Sequence, residues 1–507
     1  MQVRGIKYFV VALSLTACIA ALMNVGRVHK ADSEYQPSIP RLWDDEAMAT
    51  LGVPLADPAA SPKQVSADYY YRIPVRPIYR SYPVYSPDRE PGGYLEWLKR
   101  QEPQEAFDVS ELKTEADWIK AGEVVFDAPV SYGDVVSAAD VRDPHWYEKT
   151  GARAAKDGTL PFVRYVIREK GKVELGTLSC AMCHTRLMPD GAVIKGAQGN
   201  LPFEKAGEVL AKKSFTLEGM QKFERSFFGV PWIKPDPLAA VDQMSLDQIA
   251  ELHGAIPPGV LARHGTSPLH PAQVPDLIGI KERKYLDHTG LQLHRSLADM
   301  MRYAALNQGA DMLASYGGFT PGVRDLHTLP DPSTQRRYSD EQLYALSLYI
   351  YSLKPPANPN KFDAEAARGQ KVFEQQGCAA CHAPPLYTNN KLTPVDGFKV
   401  PAEHLKEYDI LPLSLGTDPS LALKTRRGTG YYKVPSLKGV WYRGPFEHSG
   451  SVATLEDWFD PRRLREDYVP SGFRGAGVKT RAIKGHNFAL NLSEEDRRAL
   501  IAFLKTL

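Results

Sequence analysis

The chain has 507 residues, more than one hydrophobic core usually contains, so we expect two or three domains. Apolar residues make up 43% and charged residues 24% of the chain, which excludes a disordered chain, collagen, a coiled coil and a polytopic membrane protein. Lys and Arg number 62 against 60 Asp and Glu, so we expect no nucleic-acid partner. Five cysteines are too few for a disulfide scaffold, and their positions therefore decide the interpretation.

Residues 1–28 have the pattern of an export signal. Arg4 and Lys7 precede a nearly all-apolar run that ends at Met23. Three versions stay open: an uncleaved membrane anchor, a lipoprotein with its lipid on Cys18, and a soluble cleaved form. Taken on to Val25, the run is about 18 residues long, which is just enough to cross a bilayer. We expect a periplasmic or other extracytoplasmic protein, with anchoring through the N-terminus favoured over the soluble form.

Residues 29–110 are rich in Pro and Tyr and predict an extended arm around the body of the protein. A linker from the membrane is an equally good interpretation of this segment. Beyond it, the stretch 118–127 predicts a helix with Gly122 and Phe126 on one face. The stretch 164–177 then predicts a β-hairpin that turns at Lys170-Gly171.

Two C-x-x-C-H motifs hold four of the five cysteines, at Cys180-Ala-Met-Cys183-His184 and Cys378-Ala-Ala-Cys381-His382. This pattern attaches c-type haem: two thiols bond the vinyl groups of the porphyrin, and the following His is the proximal iron ligand. A redox disulfide would not need the His, and paired zinc-binding motifs lie roughly 15–20 residues apart. The sequence therefore predicts two covalently bound c-type haems, with His184 and His382 as iron ligands.

The distal ligand of the first haem is not identified by the sequence. A helix is expected from about Gln292, and its stripe of His294, Leu297, Met301 and Ala305 is more typical of a core than of a ligand set. An open sixth position is an equally good interpretation, and it is the one that permits catalysis. The other candidates are the histidines and methionines around the first motif, which are His253, His264, His270, His288, His327, Met188, Met220, Met244, Met300 and Met312.

Each motif is bracketed by a similar pair of predicted helices. Residues 338–353 align with the terminal residues 492–507, so that Ser339 matches Ser493 and Ala345 matches Ala499. A helix carrying Gly369 and Phe373 precedes the second motif, at the spacing of Gly122 and Phe126. Ser493 and Asp496 predict a capping box. A Gly-bearing helix that crosses a terminal helix at close approach is an arrangement that resembles the small cytochrome c fold.

The second haem has no methionine available within its own domain, because the last Met of the chain is Met312. The remaining candidates for its sixth ligand are three histidines. His486, on the loop before the terminal helix, is preferred, and His448 is the second choice. His404 is expected to be a solvated surface residue. Bis-His ligation predicts a lower reduction potential than His/Met ligation.

The predicted fold is mainly α, with two tandem cytochrome c-like domains, the first enlarged by insertions that include the hairpin, and with long irregular loops. We expect the first domain at 111–355 and the second at 356–507. Additional chain is concentrated around the first haem, so its pocket is the expected reactive site.

The tandem motifs and the run VPSLKGVWYRGPFEHSGSVATLEDW (434–458) resemble the dihaem cytochrome c peroxidase superfamily. The stretch 196–204 is similar to a Gly- and Asn-containing segment of those peroxidases. The order of the predicted elements resembles that of the family over about 118–507. Sequence motifs of the family are matched only near Cys180 and from Phe362 onward. The long first domain and the late His486 look most like the rubber-oxygenase branch, whereas the Met ligand of the peroxidases is absent.

The resemblance implies a haem-dependent oxidoreductase whose first haem reacts with peroxide or dioxygen and whose second haem transfers electrons. A small cytochrome or another electron donor would be the redox partner. The alternatives are a dioxygenase of the rubber-oxygenase type and a non-catalytic dihaem electron carrier.

Overall fold

The computed structural model describes residues 35–133, 136–263, 265–309, 311–322 and 329–507. The predicted export signal and Cys18 lie outside these residues. Among the helices of the described part, none is long and apolar enough to cross a membrane.

The fold is mostly helical, with several small sheets. Its α-helices are α1 Asp45–Ala49, α2 Ala67–Arg72, α3 Tyr94–Lys99, α4 Glu115–Asp127, α5 Pro144–Thr150, α6 Cys180–Cys183, α7 Phe203–Ser214, α8 Leu217–Phe228, α9 Leu246–Gly254, α10 Leu297–Gln308, α11 Asp340–Ser352, α12 Ala364–Gln375, α13 His404–Glu407, α14 Ser420–Leu423, α15 Leu455–Trp458 and α16 Glu494–Lys505. Short 3-10 helices lie at Pro58–Ala60, Val109–Glu111, Asp140–Arg142, Ala239–Gln243, Ile280–Glu282, Pro332–Thr334, Cys378–Ala380 and Pro461–Leu464.

The strands are short except in one sheet. They are β1 Pro62–Gln64, β2 Ser81–Tyr85, β3 Ser131–Tyr132, β4 Thr159–Glu169, β5 Lys172–Thr177, β6 Thr185–Leu187, β7 Val193–Lys195, β8 Val260–Leu261, β9 Ala272–Gln273, β10 Tyr285–Leu286, β11 Gln292–Leu293, β12 Ala314–Tyr316, β13 Leu392–Pro394 and β14 Tyr431–Lys433. The four-stranded sheet has the order β2-β4-β5-β3, and every strand pair is antiparallel. Within it, β4 and β5 form the predicted hairpin, which turns at Lys170-Gly171 with Gly171 at φ +83°.

Two helix pairs pack in the same way. Helix α4 packs on α11, and a Cβ atom at Gly122 would lie 2.0 Å from the carbonyl oxygen of Ala345. Helix α12 packs on α16, and a Cβ atom at Gly369 would lie 1.8 Å from the carbonyl oxygen of Ala499. Only glycine permits so close a backbone approach. Ala345 and Ala499, which the sequence alignment pairs, therefore occupy equivalent positions: each contacts the glycine of the crossing helix.

The caps of the two closing helices are also similar. Ser339 accepts the N–H of Gln342, whose side chain accepts the N–H of Ser339, a complete capping box. Ser493 accepts the N–H of Asp496 at 3.1 Å, and its hydroxyl donates to the Asp496 carboxylate at 2.9 Å. The terminal cap is therefore made by the two predicted side chains, without a bond to the backbone N–H of Ser493.

Residues 35–110, the predicted arm, are packed into the body of the protein. They form three short helices and two strands, and Leu42, Trp43 and Tyr70 are fully buried in one core with α4, α10 and α11. Trp43 stacks on Tyr70 with ring centroids 4.2 Å apart.

The predicted start of helix α10 is wrong by several residues. Gln292 and Leu293 pair with Tyr285 and Leu286 as β11 and β10, and the helix begins only at Leu297. His294 therefore precedes the helix, where its ring nitrogens contact the carbonyl of Arg283 and the hydroxyl of Tyr351. Ser296, the residue before the helix, still has an extended backbone, so the helical conformation begins only after it.

Candidate functional site

The first C-x-x-C-H motif forms one helical turn, α6. Ser179 caps it by accepting the N–H of Met182, and the N–H of His184 donates to the carbonyl of Cys180. The turn places Cys180 and Cys183 on the same face, as residues three apart on a helix are neighbours. Nδ1 of His184 lies 3.0 Å from the carbonyl oxygen of Pro275. Burial lowers the pKa of His184 to about 4, so its ring is neutral at pH 7, as a metal ligand must be.

The segment after this motif holds it in place. The N–H of Gly196 donates to the carbonyl of His184, and that of Gly199 to the carbonyl of Cys183. A Cβ atom at Gly199 would lie 2.0 Å from the Cys183 oxygen, so no other residue fits there. Asn200 makes two side-chain hydrogen bonds of 2.8 Å to the backbone of Leu187. This is the segment that the sequence identified as similar to the peroxidases.

The second motif has equivalent contacts. The N–H of His382 donates to the carbonyl of Cys378, and Nδ1 of His382 lies 3.1 Å from the carbonyl oxygen of Pro435. Burial lowers the pKa of His382 as well. In both motifs a backbone carbonyl occupies Nδ1 and so leaves Nε2 available, which is how proteins orient a metal-binding imidazole.

The two proline carbonyls belong to a repeat that the sequence prediction missed. Val274-Pro-Asp-Leu-Ile-Gly279 and Val434-Pro-Ser-Leu-Lys-Gly439 share four of six residues. Each is followed, at the same spacing, by an acidic residue, a histidine (His288 or His448), a hydroxyl residue and a glycine. This spacing is visible in the sequence and could have identified both carbonyls.

The residues just before these repeats connect the two halves symmetrically. The N–H of Gln273 donates to the carbonyl of His448 at 2.8 Å, and the N–H of Lys433 donates to the carbonyl of His288 at 2.9 Å. The two C-x-x-C-H motifs are therefore held in one arrangement rather than on independent segments.

The four cysteines of the two motifs form no disulfide with one another and are half-buried. Burial raises the pKa of Cys180 to about 12 and that of Cys378 to about 11. A thiol-disulfide catalyst needs a lowered pKa, because the thiolate is the nucleophile. The site therefore does not have the electrostatics of a redox dithiol.

A cavity of about 1550 Å³, the second cavity, adjoins Cys378, Cys381 and His382. His486 lines it, and the ring centroids of His382 and His486 are 6.3 Å apart. One metal ion bound by two imidazole nitrogens, at about 2.0 Å from each, requires a centroid separation of roughly this size. Nδ1 of His486 is buried without a hydrogen-bond partner. Burial, with smaller effects of His382 and Arg463, lowers the pKa of His486 to about 3. These residues fit a haem held between two neutral histidines.

Arg463, which the sequence did not single out, holds the loop of His486. The guanidinium is 1% exposed and donates to the carbonyls of Ile483, Gly485 and His486 at 2.6, 3.0 and 2.9 Å. The backbone of His486 has φ +47°, a conformation that residues other than Gly rarely adopt. The ring of Trp458 packs on that of His486, with centroids 5.3 Å apart.

The other two histidines of this half do not face His382. His448 also lines the second cavity, but its ring stacks on Tyr432, with centroids 4.3 Å apart, and pairs with Glu447. The prediction that His404 lies at the surface is wrong: it is 4% exposed, and Nδ1 contacts the hydroxyl of Tyr431 at 3.0 Å. That hydrogen bond offsets the cost of burying the ring.

A cavity of about 1070 Å³, the first cavity, adjoins Cys180, Cys183 and His184. Among the described residues, no histidine ring pairs with His184 as His486 pairs with His382. One stripe of α10 lines the cavity instead, with Met300, Tyr303, Ala304, Asn307 and Gln308. The neighbouring stripe, Met301 and Ala305, is in the core, as the sequence indicated.

A charged group also lines the first cavity. The hydroxyl of Tyr303 donates to Asp287 at 2.7 Å, and Arg427 forms an ion pair with the same carboxylate. Burial, followed by the charge of Asp287, raises the pKa of Tyr303 well above its usual range. The hydroxyl therefore keeps its proton.

Of the described histidines and methionines considered for the first haem, only His288 and Met300 line the first cavity. His288 lines the second cavity as well, and its Nε2 contacts the carbonyl of Gln273 at 2.7 Å. His264 and His327 lie outside the described residues.

His253 is held elsewhere, between two buried carboxylates. Nδ1 contacts Glu204 at 2.6 Å, and Nε2 contacts Glu224 at 2.8 Å. Although burial alone would lower the pKa of His253, the two carboxylates outweigh it and raise the pKa to about 10. This ionised group ties α7, α8 and α9 together and is not a candidate iron ligand.

No protein-family profile matches the chain. Part of it is 30% identical, over 166 residues, to cytochrome-c peroxidase IdrP1 of Denitromonas iodatirespirans, covering 28% of this chain and 40% of that protein. Part is 28% identical, over 145 residues, to the methylamine utilization protein MauG of Methylorubrum extorquens, covering 28% and 35%. The chain thus spans less than half the length of either relative. It is distantly similar to the cytochrome c peroxidase and MauG family.

Two solved structures have weak similarity to the fold. Hydrazine synthase of Kuenenia stuttgartiensis matches with a TM-score of 0.30 at 15% identity, over 58% of this chain and 93% of that chain. A MauG-like protein associated with microbial copper homeostasis matches with a TM-score of 0.28 at 16% identity, over 46% and 73%.

Proposed function

We propose that this chain is a dihaem c-type cytochrome of two tandem cytochrome c-like units that acts as a peroxidase-type oxidoreductase. Cys180, Cys183 and His184 would hold the reactive haem, and Cys378, Cys381, His382 and His486 the electron-transfer haem. When bound, the haems supply the iron that exchanges electrons. The observation that carries the proposal is the difference between the cavities. The second has a paired histidine ring at 6.3 Å, and the first has Tyr303, Asp287 and Arg427 in its lining instead.

The residues of the first cavity suit a small oxygen-containing substrate such as peroxide. Asp287 orients the guanidinium of Arg427 and accepts a hydrogen bond from the Tyr303 hydroxyl. Burial lowers the pKa of Arg427, but the nearby Asp287 outweighs it and raises the pKa above its ordinary value. A fixed positive charge in a partly closed cavity stabilises negative charge that develops on a substrate oxygen. Apolar side chains, including Leu277, Ala304 and Ile350, form other parts of the cavity wall.

The connection between the cavities supports a shared electron path. Gln273 and His288 line both, and each repeat donates a backbone hydrogen bond to the other. A small cytochrome or another donor would deliver electrons through the second haem. The expected export signal supports an extracytoplasmic location for the protein.

The test is reactivity of the purified protein, produced in a host that matures c-type cytochromes. The proposal expects carbon monoxide to bind one haem after reduction, and peroxide to be consumed with oxidation of a reduced cytochrome. If the protein consumed oxygen in the presence of an alkene and did not consume peroxide, the dioxygenase would be favoured instead.

An electron carrier is the second candidate function, because Met300 lines the first cavity and a thioether is a common haem ligand. If Met300 ligates the iron, Met300→Ala will convert the first haem from low-spin to high-spin. Under the proposed function, Met300→Ala leaves the spectrum of that haem unchanged.

A further inference from the structure

A third cavity of about 530 Å³ adjoins both larger ones, and basic side chains line it. It shares Gln273 and His288 with the first and second cavities, and Lys433 and Arg443 with the second. Arg283 and Asp276 complete its charged lining, and none of the four motif cysteines contributes to it. We call it the basic cavity. It therefore lies beside the two histidine-containing cavities and away from their thiols.

The charges of the basic cavity do not balance. Arg283, Lys433 and Arg443 are three cationic groups, and Asp276 is the one carboxylate in the lining. Asp276 is 4% exposed and accepts hydrogen bonds from the Tyr442 hydroxyl at 3.0 Å and the Ile278 N–H at 3.2 Å. Its carboxylate comes no closer than 4.0 Å to the Arg283 guanidinium, which instead donates to the backbone carbonyls of Asp276 and Ile278. One carboxylate cannot balance three half-buried basic side chains, and this imbalance is unfavourable unless an anion is present.

The two cations shared with the second cavity have unused hydrogen-bond donors. Lys433 Nζ has a single long contact, 3.4 Å to the carbonyl of Tyr285. Arg443 donates from Nη2 to the carbonyl of Ser436 at 2.7 Å, while its Nε is buried without a partner. Burial, and then the charge of Arg283, lowers the pKa of Lys433 to about 7. These features are typical of a site that binds a carboxylate or phosphate.

We propose that Lys433 and Arg443 bind the carboxylate side chains of the second haem, with Arg283 as the third positive charge of the site. This rests on the proposed function, because it requires a haem on Cys378 and Cys381. The thioethers and the carboxylates of a c-type haem lie at opposite edges of the porphyrin, and the basic cavity adjoins the second cavity without touching its cysteines. A divalent cation is the wrong ligand for this cavity, since three like charges would repel it.

The experiment compares the haem protein with Lys433→Gln and Arg443→Gln, and uses Lys438→Gln as the matched control. Lys438 lies in the same repeat but is exposed. Reduction potentials come from spectroelectrochemical titration of the low-spin haem, and resonance Raman spectra report the bending band of its carboxylate side chains. Both cavity variants should lower the potential, because an unneutralised carboxylate stabilises ferric iron. Both should shift the Raman band, and Lys438→Gln should change neither.

Two further measurements keep the outcomes distinct. Lys433→Arg retains the charge and should keep the wild-type potential, even if Lys433→Gln fails to fold. Unchanged potential and Raman band in Lys433→Gln and Arg443→Gln would overturn the assignment. It would also be overturned if added acetate or phosphate shifted the wild-type potential and not that of Lys433→Gln, because the ligand would then be a free anion. Absence of covalent haem from the wild-type protein would instead refute the proposed function, before any variant is compared.

Discussion

The crossing of helices α12 and α16 has no space for a side chain at Gly369. A Cβ atom there would lie 1.8 Å from the carbonyl oxygen and 2.4 Å from the carbonyl carbon of Ala499, both backbone atoms. Real Cβ atoms essentially never come within 3.0 Å of another atom, so Gly369→Ala must separate the helices by more than 1 Å. Overpacking of this kind costs about 3 kcal/mol.

Thermal unfolding followed by circular dichroism measures this loss. For a cooperative unit of 150–250 residues, about 3 kcal/mol corresponds to a Tm roughly 6–12 °C lower. Gly207→Ala is the matched control, since Gly207 also lies within a helix, α7, but a Cβ atom there would have no neighbour within 4 Å. That substitution should stabilise the protein by about 0.5–1 kcal/mol, because Ala is the better helix former.

Gly369→Ala would also disturb the second cavity, because Leu500 and Leu504 of α16 line it beside His382. We expect a broadened absorption band of the second haem along with the lower Tm. A Gly369→Ala protein that unfolds at or above the wild-type Tm would refute the close crossing, and with it the structural equivalence of Gly369 and Gly122.

Three other changes test the remaining features. His486→Met should raise the reduction potential of the second haem, because a thioether favours ferrous iron; an unchanged potential and spectrum would rule His486 out as the ligand. Arg463 donates to four backbone carbonyls, whereas a Lys ammonium group has three N–H donors, so Arg463→Lys loses at least one contact and should weaken the low-spin signal of the second haem at neutral pH. A spectrum like that of the wild type would mean that the loop holds its shape without the guanidinium. His253 has a pKa raised from 6.5 to about 10, so its contribution to stability is complete below pH 6.5 and is lost as the pH rises through 10. His253→Gln should cost about 3–5 kcal/mol at pH 6 and flatten the stability profile between pH 6.5 and 10, and denaturant titrations at several pH values that give parallel profiles for both proteins would contradict this.

The helices that bracket the motifs could be predicted because their signals are local. Gly369 and Phe373 share a helical face, Ser339 and Ser493 are capping residues, and the correspondence of Ala345 with Ala499 follows from aligning two segments. The start of α10 could not be predicted, because apolar residues at helical spacing extend back into β11. The strand pairing of Gln292 with Leu286 and the extended backbone at Ser296 delay the helix until Leu297.

The iron-ligand candidates were predictable from the motifs, whereas their supports lie far away in the sequence. The repeated Val-Pro segment is the signal for the two proline carbonyls, and no comparable signal points to Arg463. Pro275 is 91 residues from His184, and Pro435 is 53 residues from His382, so neither contact follows from local pattern. Arg463 holds His486 from 23 residues away and is buried, which composition alone would not suggest for an arginine. His404 has charged neighbours that indicate a surface position, but the hydroxyl of Tyr431 makes its burial possible.

The proposed function requires two different haems, with an open first site and a bis-histidine second site. Quantitative electron paramagnetic resonance of the purified ferric protein distinguishes them. We expect one high-spin and one low-spin ferric haem in equal amounts, with the low-spin signal lost in His486→Ala and kept in His448→Ala. Two low-spin signals of equal intensity, neither of them changed by His486→Ala, would contradict this expectation.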